Sequence, residues 1–326
     1  MDRIERVQCV LEGRKPDRPP VSFWHHFAPD EVCGQAALRV HLDHVERYDL
    51  DFLKVMNDNG YPSTRPIRDV ADLASLTVLR GDEPEFARQL DLLSELKRAL
   101  GGRLWMATTV FNAFATLRRQ VGPPKRTHNP PKMNGGGDPA TATVLGFYRQ
   151  DPDSVRAALE TITTSLANFA RRCLKAGAEG IFLSVRDDWL DAPDDDSSLY
   201  DALVRAGDLA ILDGASAGRF NLLHVCGTSV HFRRFAEYPV HAVNWADRAA
   251  GPSIRDVCGW MKPALCAGVD NLTTLPTGTP ADCEREVADA LAEAGDRPIL
   301  IGPGCTFDPQ RVPSANLEAV RRAVDR

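Results

Sequence analysis

Short apolar runs alternate along this chain with longer stretches in which apolar residues recur three and four positions apart. The runs fall at residues 21–24, 51–56, 103–110, 180–185, 220–226, 241–245, 264–271 and 298–301. Runs of this length, closed by Gly, Asn, Asp or Pro clusters, predict strands. Helical spacing predicts helices over 2–14, 35–48, 83–100, 153–176, 199–217, 231–238, 280–294 and 314–324, with another ending near residue 121. No Gly-x-Gly-x-x-Gly fingerprint or phosphate loop follows the first run. Strands alternating with helices imply a parallel sheet. Eight such repeats imply an α/β chain folded as a single (β/α)8 TIM barrel over residues 1–326, with a short N-terminal helical extension. Residues 122–143, with Pro123-Pro124, Pro130-Pro131 and Gly135-Gly-Gly137, break the pattern. They read as an irregular loop insertion, either a lid or a surface insert.

Barrel enzymes carry their chemistry at the C-terminal ends of the strands. That rule gathers His25, Asp58, Asn112, Asp187, His224, Cys226, Asn244, Asp270 and Cys305 around one mouth, with Trp24, His26 and Asn57 beside them. The stretch Phe220-Asn-Leu-Leu-His-Val-Cys-Gly-Thr228 is the most telling. In a strand, residues two apart share a face, so His224 and Cys226 sit side by side. They supply two of the three protein ligands of a catalytic zinc site. The best third ligand is Cys305, where another apolar run ends in a Gly-framed turn. The alternative for each alone is bland: a buried cysteine is usually an inert small hydrophobe, and a single histidine is usually structural. Asp58 is a candidate base, a substrate hydrogen-bond acceptor or a turn residue, and His25 is a second catalytic candidate. Trp24, His26, Asn57, Asn112, Asp187, Asn244 and Asp270 are candidates for binding substrate.

Composition narrows the classes. A chain of 326 residues that is 43% apolar can bury a large core, and its net charge of −6 argues against a nucleic-acid partner. No run of about 18 uninterrupted apolar residues is present, so no membrane span is expected. The first residues are charged and lack the apolar core of a secretory signal. Eight cysteines scattered over so long a chain are not a disulfide framework. A cytoplasmic protein with reduced thiols is expected.

Three segments carry a resemblance over nearly the whole chain: Asn221-Leu-Leu-His-Val-Cys-Gly, Asn244-Trp-Ala-Asp-Arg-Ala-Ala-Gly-Pro-Ser, and Ile301-Gly-Pro-Gly-Cys-Thr. The chain resembles the uroporphyrinogen decarboxylase superfamily, which implies a (β/α)8 barrel. The decarboxylases use no metal or cofactor. They place an arginine-bearing segment after the first strand, where this chain reads Trp24-His-His-Phe-Ala28 with no arginine. Asp58 matches the position of their catalytic aspartate, and Cys305 replaces their histidine near the eighth strand. The corrinoid-linked methyltransferases of the same superfamily bind zinc through a His-x-Cys pair and a distant cysteine in a Pro-Gly-Cys turn. His224, Cys226 and Cys305 match all three.

The resemblance to that branch implies a zinc-dependent methyltransferase. It would move a methyl group between a corrinoid (methylcobamide) and a small thiol or other acceptor. Zinc deprotonates a coordinated thiol and presents it as a thiolate. The expected partners are a small-molecule methyl donor or acceptor and a corrinoid protein or free cobalamin, because no corrinoid domain fits within the chain. Family members are often dimers, so a homodimer is one expected assembly. Two other readings stay open. One is a cofactor-free decarboxylase of a tetrapyrrole or other carboxylate, in which Asp58 stabilises a protonated intermediate. The other is a corrinoid- or metal-binding protein without turnover.

Overall fold

The computed structural model describes residues 1–63, 65–121, 138–186, 190, 198–228 and 230–325. Seven parallel strands form one sheet in strict sequence order: β1 (Phe52–Val55), β2 (Trp105–Phe111), β3 (Gly180–Arg186), β4 (Leu222–Cys226), β5 (Ala242–Trp245), β6 (Ala264–Val269) and β7 (Ile299–Pro303). Each pairs with the next, as Lys54 with Ala107 and His224 with Asn244. Consecutive parallel strands need a crossover, and helices such as Pro84–Leu100, Pro152–Lys175 and Pro280–Ala294 supply it.

The predicted first strand, residues 21–24, is not a ladder strand, which corrects the expected count of eight. Val21 makes a single parallel bridge to Ile301 and His25 another to Phe307. The segment nonetheless touches both edges of the sheet. Ile301 N donates to Pro20 O at 2.8 Å and Ser22 N to Ile301 O at 3.1 Å, while Asp51 N donates to Val21 O at 2.9 Å. The local sequence explains the irregularity. Pro19 and Pro20 have no N–H to give a ladder. The Val21 N–H donates to the Asp51 carboxylate at 2.8 Å rather than to a strand carbonyl. That carboxylate is fully buried and also holds Arg6 at 2.7 Å and Arg18 at 2.6 Å.

Alternation along the strands sorts the core into two parts. One set of side chains packs outward under the helices. The other fills the lumen: Trp24, Phe52, Met56, Trp105, Ala107, Phe182, Phe220, Leu222, Ala242, Cys266 and Leu300. The helix Arg3–Leu11 adds Val7 and Val10 to this inner cluster. Its start is fixed by a capping box between Asp2 and Glu5.

Within the predicted loop over 122–143, the residues from Pro139 onward are helical. Asp138 caps a helix, Pro139–Gln150, by accepting from Thr141 N, and Pro139 occupies the first turn. Residues 122–137 lie outside the described residues. The predicted helix over 231–238 is a single 3-10 turn, Phe232–Phe235. No helix among the described residues is long and apolar enough to cross a membrane, and all eight cysteines are free thiols.

Candidate metal centre

β4 carries the first half of the site. Phe220 and Leu222 point into the lumen, so the same parity turns His224 and Cys226 inward. His224 is 4% exposed and Cys226 lies at the rim, where the chain turns at Gly227 with a φ of 135°. The second half follows β7. There Gly304 presses its backbone against the end of β5: a Cβ added at Gly304 would stand 2.6 Å from Ala246 Cα. Gly304 N donates to Val269 O at 3.0 Å, and Asn271 Nδ2 donates to Thr306 O at 3.0 Å. These contacts aim Cys305 back across the mouth, and its Sγ lies 3.5 Å from His224 Nε2.

The ligand atoms of His224, Cys226 and Cys305 all lie within 4.8 Å of one another. Tetrahedral zinc with bonds of about 2.3 Å to sulfur and about 2.0 Å to nitrogen needs an S···N edge of about 3.5 Å. The observed His224–Cys305 separation of 3.5 Å meets that need. The Cys305 thiol is held well below its ordinary range, first by its hydrogen bond with Cys226 and then, against the cost of burial, by His224 and the charge of Lys54. A depressed thiol is the form that ligates a metal.

The imidazole is oriented from behind. Asn244 Nδ2 donates to Cys266 O at 2.8 Å and to Pro303 O at 3.0 Å, which leaves its Oδ1 as the acceptor facing His224 Nδ1 at 2.6 Å. His224 therefore carries its proton on Nδ1 and turns the Nε2 lone pair toward Cys305. The ring also stacks on Phe182, with centroids 5.5 Å apart.

Two further groups share the mouth. His26 Nδ1 and Asp58 Oδ1 are 2.7 Å apart and both are mostly buried. Lys54 on β1 is 6% exposed and has no hydrogen-bond or ion-pair partner among the described residues. Its ammonium lies 4.3 Å from the Phe182 ring centroid and 5.6 Å from that of Trp24. Burial pulls the Lys54 amine down to about 8, opposed by the charges of Cys305, Asp58 and Cys226. Lys54 is absent from the candidates that strand ends suggest. Its one signal in the sequence is a lone cation in the apolar run Phe52–Val55, at the inward parity of Phe52 and Met56.

The other candidates are placed elsewhere or engaged. Trp24 is packed in the lumen beneath the centre, 1% exposed and edge-on to Phe182. His25 alternates to the other side of its segment and sits among Phe27, His44 and Phe307, at centroid distances of 4.5, 5.1 and 5.3 Å. Burial lowers its pKa. Asn57 donates to Thr109 O and accepts from Asn59, pinning the loop after β1. Asn112 is committed at both ends, capping the helix Ala113–Val121 through Ala115 N and donating to Asp208 at 3.0 Å. Asp270 closes its own turn by accepting from Leu272 N and from the Thr273 hydroxyl. Asp187 lies outside the described residues.

Comparison with known proteins fits this architecture. A methyltransferase from Methanosarcina mazei superposes with a TM-score of 0.71 at 14% identity, covering 100% of this chain and 98% of its own. A homocysteine methyltransferase, MmuM from Escherichia coli, aligns at a TM-score of 0.44 and 15% identity, over 98% of this chain and 99% of its own. A B12-independent methionine synthase from Shewanella sp. W3-18-1 aligns at 0.48 and 9% identity, over 72% of this chain and 65% of its own. At these identities the first likeness speaks for the fold, and the other two carry no argument. No curated protein sequence matches the chain. Residues 49–326 match the family described as uroporphyrinogen decarboxylase (URO-D). The chain belongs to the uroporphyrinogen decarboxylase family.

Proposed function

We propose that this protein is a zinc-dependent methyltransferase that moves a methyl group between a corrinoid and a small thiol or other acceptor. The observation that carries the reading is the convergence of one imidazole nitrogen and two sulfurs, all within 4.8 Å, on a histidine whose tautomer is already set by Asn244. Three protein ligands of N and S type with a fourth position open are the donor set of a catalytic zinc site. Bound there, zinc would hold an acceptor thiol as a nucleophilic thiolate.

The rest is the work of the chain's own residues. His224, Cys226 and Cys305 would hold the ion. Asn244 orients the imidazole and, with Phe182, fixes the plane of its ring. The His26–Asp58 pair would receive or return a proton at the His26 ring or anchor a polar group of the substrate, and Trp24 would floor the pocket. The corrinoid would come from a partner protein or as free cobalamin.

The test begins with elemental analysis of untagged protein purified under reducing conditions. About one zinc per chain is expected, and it should be lost in His224→Ala and in Cys305→Ala. Demethylation of methylcobalamin by a small thiol should then follow the zinc content, vanish with a chelator and return with added zinc. A folded chain that takes up no zinc after reconstitution overturns the reading. Turnover of a carboxylated tetrapyrrole by such a metal-free chain would favour the decarboxylase alternative, with Asp58 at its centre.

A further inference from the structure

Lys54 is costly where it stands. Placing an ammonium in the lumen of a barrel, without a hydrogen-bond or ion-pair partner among the described residues, disfavours folding unless something supplies negative charge nearby. A methionine or leucine would pack the same strand position at no such cost. The groups in electrostatic reach of this amine that can carry negative charge are Cys305, Asp58 and Cys226. Asp58 is already held by His26 at 2.7 Å. The aromatic faces of Phe182 and Trp24 give the cation a partial replacement for water. Phe182 is also the ring against which His224 stacks. The amine and the β4 imidazole thus share one aromatic neighbour, Phe182.

The charge count at the centre identifies a use for it. A dication with two thiolates and a neutral imidazole sums to zero. An incoming thiol that sheds its proton to solvent adds one negative charge beside Cys226 and Cys305, and the assembly becomes anionic inside a low-dielectric lumen. We propose that Lys54 is a positioning residue that supplies the counter-charge for this anionic state, so that the site selects thiolates over neutral ligands at the open position. This inference rests on the metal reading above and adds to it a ligand class and a residue responsible for the choice.

The experiment uses the full chain loaded with cobalt(II), whose absorption reports each ligand that joins the centre. 2-Mercaptoethanol and imidazole are titrated separately into the wild type, Lys54→Gln and Lys54→Arg. The expected result is a loss of thiol affinity of about 10- to 100-fold in Lys54→Gln. Imidazole affinity should stay within about twofold, and Lys54→Arg, which keeps the charge, should retain thiol binding. If Lys54→Gln does not fold, Lys54→Met, which fills the same space without charge, carries the same pair of titrations. Unchanged thiol affinity in the uncharged variant overturns the inference. So does an equal loss for both ligands that arginine does not rescue, because that pattern marks a purely structural lysine. A folded wild-type chain that takes up no cobalt or zinc overturns the metal reading itself, and this inference with it.

Discussion

The Nδ1 of His224 and the Oδ1 of Asn244 stand 2.6 Å apart, opposite each other in the register of β4 and β5. Because both amide hydrogens of Asn244 are spent on the carbonyls of Cys266 and Pro303, its oxygen has one orientation available. Removing it frees the imidazole to rotate or change tautomer. Asn244→Ala should weaken zinc binding by about 10- to 100-fold, measured by competition with a chromophoric chelator. An affinity equal to wild type would show that Phe182 stacking alone orients the ring.

The turn that delivers Cys305 has no room for a side chain at Gly304. A methyl group there would meet Ala246 Cα at 2.6 Å, so the backbone of the turn or of the segment after β5 must shift. Gly304→Ala should lower stability by roughly 1–3 kcal/mol and reduce zinc uptake, read by thermal melting with and without metal. Gly60→Ala is the control, because a Cβ there meets nothing within 4 Å.

The His26–Asp58 pair is not part of the ligand cluster formed by His224, Cys226 and Cys305. Asp58→Asn should leave zinc stoichiometry at the wild-type value and cut turnover by about 10²- to 10⁴-fold, the range for a lost proton-transfer group. Loss of zinc in this variant would mean that the pair supports the fold of the mouth rather than the reaction.

A buried carboxyl outside the site sets a pH dependence of stability. Asp208 accepts from Asn112 at 3.0 Å, Tyr200 at 2.9 Å and Tyr238 at 3.2 Å, yet burial pushes it up to about 7. The folded chain therefore binds this proton more tightly than the unfolded chain, whose carboxyl titrates near 3.8. The contribution favours folding below pH 4 and is lost as the pH rises from about 4 to about 7. Urea unfolding of wild type should show this slope, superimposed on that of the other carboxyls, and Asp208→Asn should lack it. Parallel slopes in the two proteins would disprove the assignment.

Much of the architecture is legible in the chain because strand and helix periods differ and a parallel sheet makes each strand a continuous apolar run. Seven of the eight expected strands form. The eighth fails for a local reason: prolines 19 and 20 and the side chain of Asp51 take the place of ladder hydrogen bonds. The His-x-Cys pair is readable because a strand's period of two fixes which side chains are neighbours. The approach of Cys305 is less so, since it depends on how β7 meets β4 across the lumen. The roles of Asn112 and Asp270 are hidden because a polar residue at a strand end looks the same whether it caps a helix, closes a turn or faces a ligand. For His25, parity decides the matter. His26 and Trp24 face one way along that segment and His25 the other, into Phe27, His44 and Phe307. Lys54 is hard to single out because a lone cation in an apolar run reads as an edge position until the neighbours on both sides are known.

The bridge between Val21 and Ile301 has a bearing on how the chain assembles during synthesis. Every other seam of the sheet joins strands made one after the other, so each can form as the next segment leaves the ribosome. The seam at Val21 waits for β7, the last strand in the order of the sheet. Until Ile301 arrives, the nascent sheet has an unsatisfied border open to wrong partners. The Asp51 carboxylate narrows that exposure. It gathers Val21, Arg6 and Arg18, all from the first part of the chain, against the start of β1. One border is thereby covered early by a local clasp, and the risk of misassociation is concentrated on the border that β7 closes.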